Sequence, residues 1–199
     1  MNRVHVFAEK EMSTTRSNRT TDNKAIKKEL KKLMWKYRGN RRPEFAIEPK
    51  AGQESVWDYP RPPVLVSDHR KIEVFSKDKE LIALATCSFR VLETASPPTF
   101  YIAPESLITK LTPYPGASYC EWKGQASYFS HGDTKIAWRY DAPSERFEQI
   151  DGWYSFYASL TRCFVDGEPV EAQHGDFYGG WITHEVVGPF KGDPGTMGW

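Results

Sequence analysis

The stretch Lys71-Ile-Glu-Val-Phe75, followed by the polar turn Lys77-Asp-Lys-Glu80 and then Leu81-Ile-Ala-Leu-Ala-Thr86, decides the fold class. Residues 71–75 alternate polar and apolar, the period of a strand with one buried face, and residues 81–86 bring the chain back as its hairpin partner. The same signals continue outward. Ser88 to Leu92 reads as extended and ends at Pro97-Pro98, and Pro104-Glu105-Ser106 suits a short helical turn. Ser118 to Phe129 is aromatic-rich with Lys123-Gly124 near its middle, and Gly132-Asp133 turns into Thr134–Tyr140. Ser144 to Ile150 is the one good helix candidate, with Ser144 as its cap. Trp153–Tyr157 and Arg162–Val165 read as strands, with Asp166-Gly167 as a hairpin turn. From Phe177 the tail is glycine-rich and reads as coil that wraps the domain. The expectation is a mainly β domain over residues 56–199.

Composition narrows the class. A chain of 199 residues with 39% hydrophobic and 14% aromatic residues can build one core, and its mean hydropathy is −0.62. No run of 18 apolar residues occurs, so no membrane span is expected. No apolar stretch follows Met1, which speaks against a secretory leader, and Met12 is an alternative start. The three cysteines, Cys87, Cys120 and Cys163, form no CxxC pair. That pattern argues against a disulfide scaffold and against a four-cysteine structural zinc, and it leads to a reducing, cytoplasmic compartment as the expectation.

The net charge of +1 conceals an asymmetry: residues 1–50 carry 14 Lys and Arg against 6 Asp and Glu, and the remaining residues carry 13 against 20. Residues 1–20 read as a disordered tail, 21–39 as a basic amphipathic helix and 40–55 as a linker. In that helix Ile26, Leu30, Leu33, Met34 and Tyr37 form one apolar stripe, and six lysines cover the rest. Such a helix suits nucleic acid, an anionic membrane surface or an acidic protein, through residues 24–38, and equally suits docking on its own acidic domain. Monomer and homodimer both remain open.

Few motifs carry chemistry. The histidines show no close ligand spacing, and no phosphate loop of the GxxxxGK or GxGxxG type occurs. Cys120 stands three residues before Lys123. On a strand these two would face opposite sides, so they meet only if a turn intervenes, which Gly124 would favour. Near an ammonium a thiol becomes a candidate nucleophile, whereas a buried small apolar cysteine is the structural alternative. Glu93 lies between an apolar strand and a stiff Pro-Pro segment, a setting for a positioned acid or base, or for a carboxylate paired with an arginine. The glycines of Tyr178-Gly-Gly-Trp181 admit close backbone approach to a ligand or a tight bulge. Six tryptophans lie beyond residue 50; most belong to the core, and some can line a pocket for a planar or cationic ligand.

The strings Trp57-Asp-Tyr-Pro-Arg-Pro-Pro63, Leu92-Glu-Thr-Ala-Ser-Pro-Pro-Thr-Phe-Tyr101, Tyr119-Cys-Glu-Trp-Lys-Gly-Gln-Ala-Ser-Tyr128, Ala137-Trp138 and Phe177-Tyr-Gly-Gly-Trp181 together resemble the bacterial family called domain of unknown function 427. The N-terminal extension and the ending Gly192-Asp-Pro-Gly-Thr-Met-Gly-Trp199 are similar to the variant seen in photosynthetic microbes. The resemblance implies a β-tent-like domain: two antiparallel sheets leaning together over a cleft, with one or two short helices. Many β-tent relatives hold zinc through two CxxC pairs; this chain has neither, so no structural zinc and no other cofactor is expected. The family also carries a nucleotidyltransferase-like label, but no Gly-Ser followed by paired aspartates accompanies it here.

The leading expectation is a small-molecule ligand in an aromatic-lined cleft between the sheets, of a kind the sequence does not name. Its candidate catalytic residues are Glu93, Lys123 and Cys120, and its candidate lining is Tyr101, Trp122, Tyr128, Trp138, Tyr178, Gly179, Gly180 and Trp181. Lys123 would meet an anionic or carbonyl group, Glu93 would orient the ligand or accept a proton, and the aromatic rings would stack. Two alternatives stand beside it. One is an enzyme of the same cleft, a nucleotidyltransferase-like or other transferase or hydrolase using Lys123 and Glu93. The other is an adaptor acting through the basic helix.

Overall fold

Local pairing builds most of the molecule. The computed structural model describes residues 36–175, 178–196 and 198–199. The expected tail 1–20 and nearly all of the expected helix 21–39 lie outside them.

In chain order the strands are β1 (Glu54–Ser55), β2 (Val64–Asp68), β3 (Ile72–Phe75), β4 (Leu81–Ala85), β5 (Ser88–Glu93), β6 (Ser96–Ile102), β7 (Thr112–Cys120), β8 (Gly124–His131), β9 (Thr134–Tyr140), β10 (Tyr154–Phe156), β11 (Arg162–Val165), β12 (Glu168–Pro169), β13 (Glu171–Ala172), β14 (Trp181–Ile182) and β15 (Val186–Val187). Seven form an antiparallel sheet in the order β2-β5-β6-β10-β9-β8-β7, and four form a second in the order β12-β11-β3-β4. The expected 71–86 hairpin is β3–β4, with Ile72 opposite Ala85. Asp166 and Gly167 both have positive φ, 50° and 83°, and close the tight β11–β12 turn. Pro104–Ser106 is the expected short turn, in 3-10 form.

Two sequence expectations need correction. Pro97 and Pro98 do not end the extended stretch; they lie inside β6. A proline is tolerated in a strand where no ladder N–H is needed. Here β6 pairs with β10 only at Ile102, and a register irregularity between Val91 and Glu93 relaxes the β5 side. Ser144 does not cap an α-helix either. Glu145–Ile150 is 3-10, broken at Phe147, and the Ser144 hydroxyl donates instead to the Trp122 carbonyl, at 2.6 Å.

The two faces of the large sheet are packed differently. One face meets the four-stranded sheet, where Ile72, Val74, Ile82 and Val165 interdigitate with Phe100, Ile102, Phe129, Ala137 and Phe156. The space between the two main sheets is therefore core. The other face of the large sheet carries Val91, Tyr101, Ala126, Trp138 and Tyr140, roofed by Phe147 and Ile150 of the 3-10 segment and by Tyr157. A third cluster surrounds Trp57. Tyr37, Phe45 and Trp199 meet it at ring-centroid distances of 5.1, 5.0 and 5.1 Å, which fastens residues 37–47 to the domain. Among the described residues no helix is long and apolar enough to cross a membrane.

Candidate functional site

Register alone brings much of the expected site together. Ala126 lies opposite Tyr140, and Tyr128 lies opposite Trp138. Ser155 lies opposite Trp138 and, because Tyr154 faces Ile102, is the neighbour of Tyr101 across the β6–β10 pair. With side chains alternating between faces, Tyr101, Ser155, Trp138, Tyr140 and Tyr128 share one face. At the sheet's end Cys120 pairs with Gly124, so Glu121-Trp122-Lys123 is a three-residue hairpin loop. Gly124 closes it at φ 106°. The turn that Cys120 and Lys123 require is thus present. Ser144 holds it in place: its N–H donates to the Lys123 carbonyl at 3.1 Å, and its hydroxyl holds the Trp122 carbonyl.

Lys123 is the centre of the arrangement. It is only 8% exposed, and its Nζ lies 5.5 Å from the ring centroids of both Tyr140 and Phe147. Among the described residues no carboxylate lies within ion-pair distance of it; Glu93 pairs instead with Arg61. Burial by itself lowers the Lys123 pKa; the overall direction is upward, first through Tyr101 and Cys120, which act on it as charges only once they are ionised, and then through Glu93 and a hydrogen bond to the Cys120 thiol, so while Tyr101 keeps its proton its part of that compensation is absent. Burial pushes the Tyr101 and Tyr140 phenols well above their ordinary value, so both remain O–H donors. Tyr101 is fully buried, and Trp138 and Tyr140 are hydrogen-bonding neighbours of its hydroxyl that act against the upward push of burial. The Ser155 hydroxyl on the same face is buried and without a partner.

Glu93, at the end of β5, stands at the edge of this centre. Its Oε1 accepts from Arg61 Nε at 3.2 Å and from Trp122 Nε1 at 3.3 Å. Arg61 is itself anchored on the Thr94 carbonyl at 2.7 Å and the Tyr37 carbonyl at 3.4 Å. Of the two sequence-level readings of Glu93, the arginine-paired carboxylate is present, and the same oxygen fixes the Trp122 indole. Tyr178 is close enough for Glu93 to help raise its pKa, after burial. Lys191, whose Nζ sits 5.9 Å from the Tyr178 ring, has its pKa lowered by burial and by Arg61.

The other lining candidates are placed differently. Trp138 shares the cluster, but its ring packs on Tyr157 at 4.5 Å and on the backbone of Gly179. A Cβ at Gly179 would fall 2.0 Å from the Trp138 ring, and one at Gly180 would fall 2.4 Å from Gln173 Oε1. The glycine pair therefore serves close packing. Tyr128 has the Lys135 ammonium 4.3 Å over its ring. Trp181 belongs to the core between the sheets: it is fully buried, stacks on Phe100 at 4.8 Å and donates to the Phe156 carbonyl at 3.0 Å. It does not line a cleft with the others, because its strand is held over the opposite face of β6.

Sequence reasoning passed over Arg61, Tyr140, Phe147 and Ser155. The rigid Pro60-Arg-Pro62 setting was the one signal that marked Arg61; the other three are visible only through pairing and packing. Among the described residues no three His, Cys, Asp or Glu side chains cluster in a way that could hold a metal ion. Cys163 is buried in the core, and burial pushes its thiol up to about 12.

A mainly β domain with a buried lysine, a buried unpartnered serine hydroxyl and an arginine-paired carboxylate at one end of its large sheet is the class these features define. Residues 64–170 match the family model described as domain of unknown function DUF427, more than half of the chain, and the protein belongs to that family. No curated protein matches it.

Proposed function

We propose that this domain binds an anionic small molecule at Lys123. One observation carries the reading: an ammonium 8% exposed with no carboxylate in ion-pair distance among the described residues. A buried charge is costly unless it is paired and hydrogen-bonded, and a bound anion supplies the missing partner. The unpartnered Ser155 hydroxyl on the same face supports it, because buried polar groups ordinarily have partners. Trp122, half-buried and tethered to Glu93, forms the outer wall.

The test is a thermal-shift screen of the full chain against nucleotides, amino-acid derivatives and cyclic imides, run beside Lys123→Met and Glu93→Gln. A ligand at a hundredfold excess over its Kd stabilises the native state by about 2.7 kcal/mol. The expected result is a hit that disappears in Lys123→Met. A hit retained by Lys123→Met, or no hit from any anion in the screen, overturns the reading.

A second reading is favoured by the half-buried Cys120 thiol beside the Lys123 ammonium: an enzyme whose ligand reacts at Cys120. It requires turnover or a covalent adduct that Cys120→Ser abolishes while reversible binding persists.

A further inference from the structure

We infer that the anion taken at Lys123 is a monocarboxylate rather than a phosphate or nucleotide. The inference rests on the binding reading above and names the ligand class. Three features of the centre select it.

The first is charge. Among the described residues Lys123 is the one cation held over the Tyr140 and Phe147 rings, and Glu93 is near enough to act on it electrostatically. One carboxylate neutralises Lys123. A phosphate group, carrying up to two negative charges at neutral pH, brings one charge more than Lys123 offers, and the Arg61 guanidinium nearby is already given to Glu93.

The second is donor geometry. Lys123 and Tyr101 lie near enough to act on each other electrostatically, and each offers a donor to a carboxylate; the Ser155 hydroxyl is the neighbour of Tyr101 across the β6–β10 pair. The groups that cradle phosphates are absent from this centre among the described residues. The Lys123 turn is a three-residue hairpin loop rather than a glycine-rich nest. The 3-10 segment directs Ser144 N–H to the Lys123 carbonyl and not outward. The Arg61 guanidinium is committed to Glu93 Oε1 and to the Thr94 and Tyr37 carbonyls. Phosphate recognition characteristically uses such backbone N–H nests or an arginine fork.

The third is the surrounding surface. Tyr140, Phe147 and Trp122 are flat and apolar next to the ammonium, which suits a ligand whose body is a ring or a chain carrying a single charged end.

The experiment is a lysine side-chain 15N NMR titration of the full chain, with the Lys123 signal assigned by its loss in Lys123→Met. The probes are benzoate, the neutral isostere benzamide, and phenylphosphonate at matched ionic strength. Benzoate is expected to shift the Lys123 signal with saturation, while benzamide and phenylphosphonate bind at least tenfold more weakly. Tyr101→Phe keeps the ring and removes the hydroxyl, and is expected to weaken benzoate about tenfold while leaving the unliganded spectrum otherwise intact, a loss typical of a hydrogen bond to a charged group. Phenylphosphonate or benzamide binding as tightly as benzoate overturns the carboxylate assignment and leaves anion binding or general binding at Lys123 standing. If none of the three probes moves the Lys123 signal, both readings fall.

Discussion

Replacing Lys123 by Met is the sharpest test of whether this lysine serves function or structure. Methionine has similar length and no charge. In the free protein the Lys123 ammonium is 8% exposed, with two aromatic rings at 5.5 Å and no carboxylate in ion-pair distance among the described residues. Holding an ion out of water costs several kcal/mol even after local relaxation. Against this, cation–π contacts contribute about 0.5–2 kcal/mol each, nearer the lower figure close to the 6 Å limit. The Cys120 contact and the field of Glu93 return part of the rest. The balance favours the variant: about 1–3 kcal/mol more stable without ligand, in line with other buried charges replaced by apolar residues. At about 2–4 °C per kcal/mol for a chain of this size, Tm rises by about 2–12 °C. Urea unfolding followed by tryptophan fluorescence, with a parallel calorimetric scan, measures both quantities. A variant destabilised by about 1 kcal/mol or more would refute the argument, because it would make Lys123 a net structural contributor rather than a group kept at a stability cost.

Other outcomes follow from the same geometry. Gly179→Ala places a methyl 2.0 Å from the Trp138 ring and is expected to destabilise by about 1–3 kcal/mol as the indole or the loop shifts, read as a lower urea midpoint. Gly124→Ala meets nothing within 4 Å, but its φ of 106° makes the cost conformational, about 1–2 kcal/mol, and it should also weaken any Lys123 ligand by distorting the turn. Trp181→Phe loses the hydrogen bond to Phe156 and part of the stack on Phe100, about 2 kcal/mol in stability, with ligand affinity unchanged in the folded fraction. At Asp68, burial would raise the carboxyl, but hydrogen bonds from Arg70 and the charges of Arg70 and Arg90 hold it below its ordinary value. With the folded value depressed, its contribution is present above about pH 4 and is lost as pH falls through the lower folded value. Urea midpoints measured from pH 5 to pH 2.5 should therefore fall more steeply in the wild type than in Asp68→Asn.

Much of the fold was legible because its signals are local. Alternation in residues 71–75, the apolar return over 81–86, the Asp166-Gly167 pair and Gly132 each act over a few residues, and a hairpin needs little more. The Cys120–Lys123 turn was readable for the same reason: a glycine at positive φ closes a loop that adjacent strands already define.

Long-range pairing decided the rest. Whether Trp181 faces a ligand or the core depends on which side of β6 its short strand lies, and nothing near residue 181 encodes that. Pro97 and Pro98 read as breakers because a sequence does not reveal that most of β6 has no ladder partner on its β10 side. Ser144 read as a cap until tertiary contact offered its hydroxyl the Trp122 carbonyl. The site divides along the same line. The sequence by itself nominated Glu93, Cys120 and Lys123 by residue type and setting, and Tyr101 and Trp122 through the strings that resemble the family. Only the tertiary structure gave Glu93 to Arg61, buried Tyr101, left Ser155 without a partner, and enclosed Lys123 beneath Phe147 and Tyr140, since burial and charge compensation are properties of the space around a side chain and not of its neighbours in the chain.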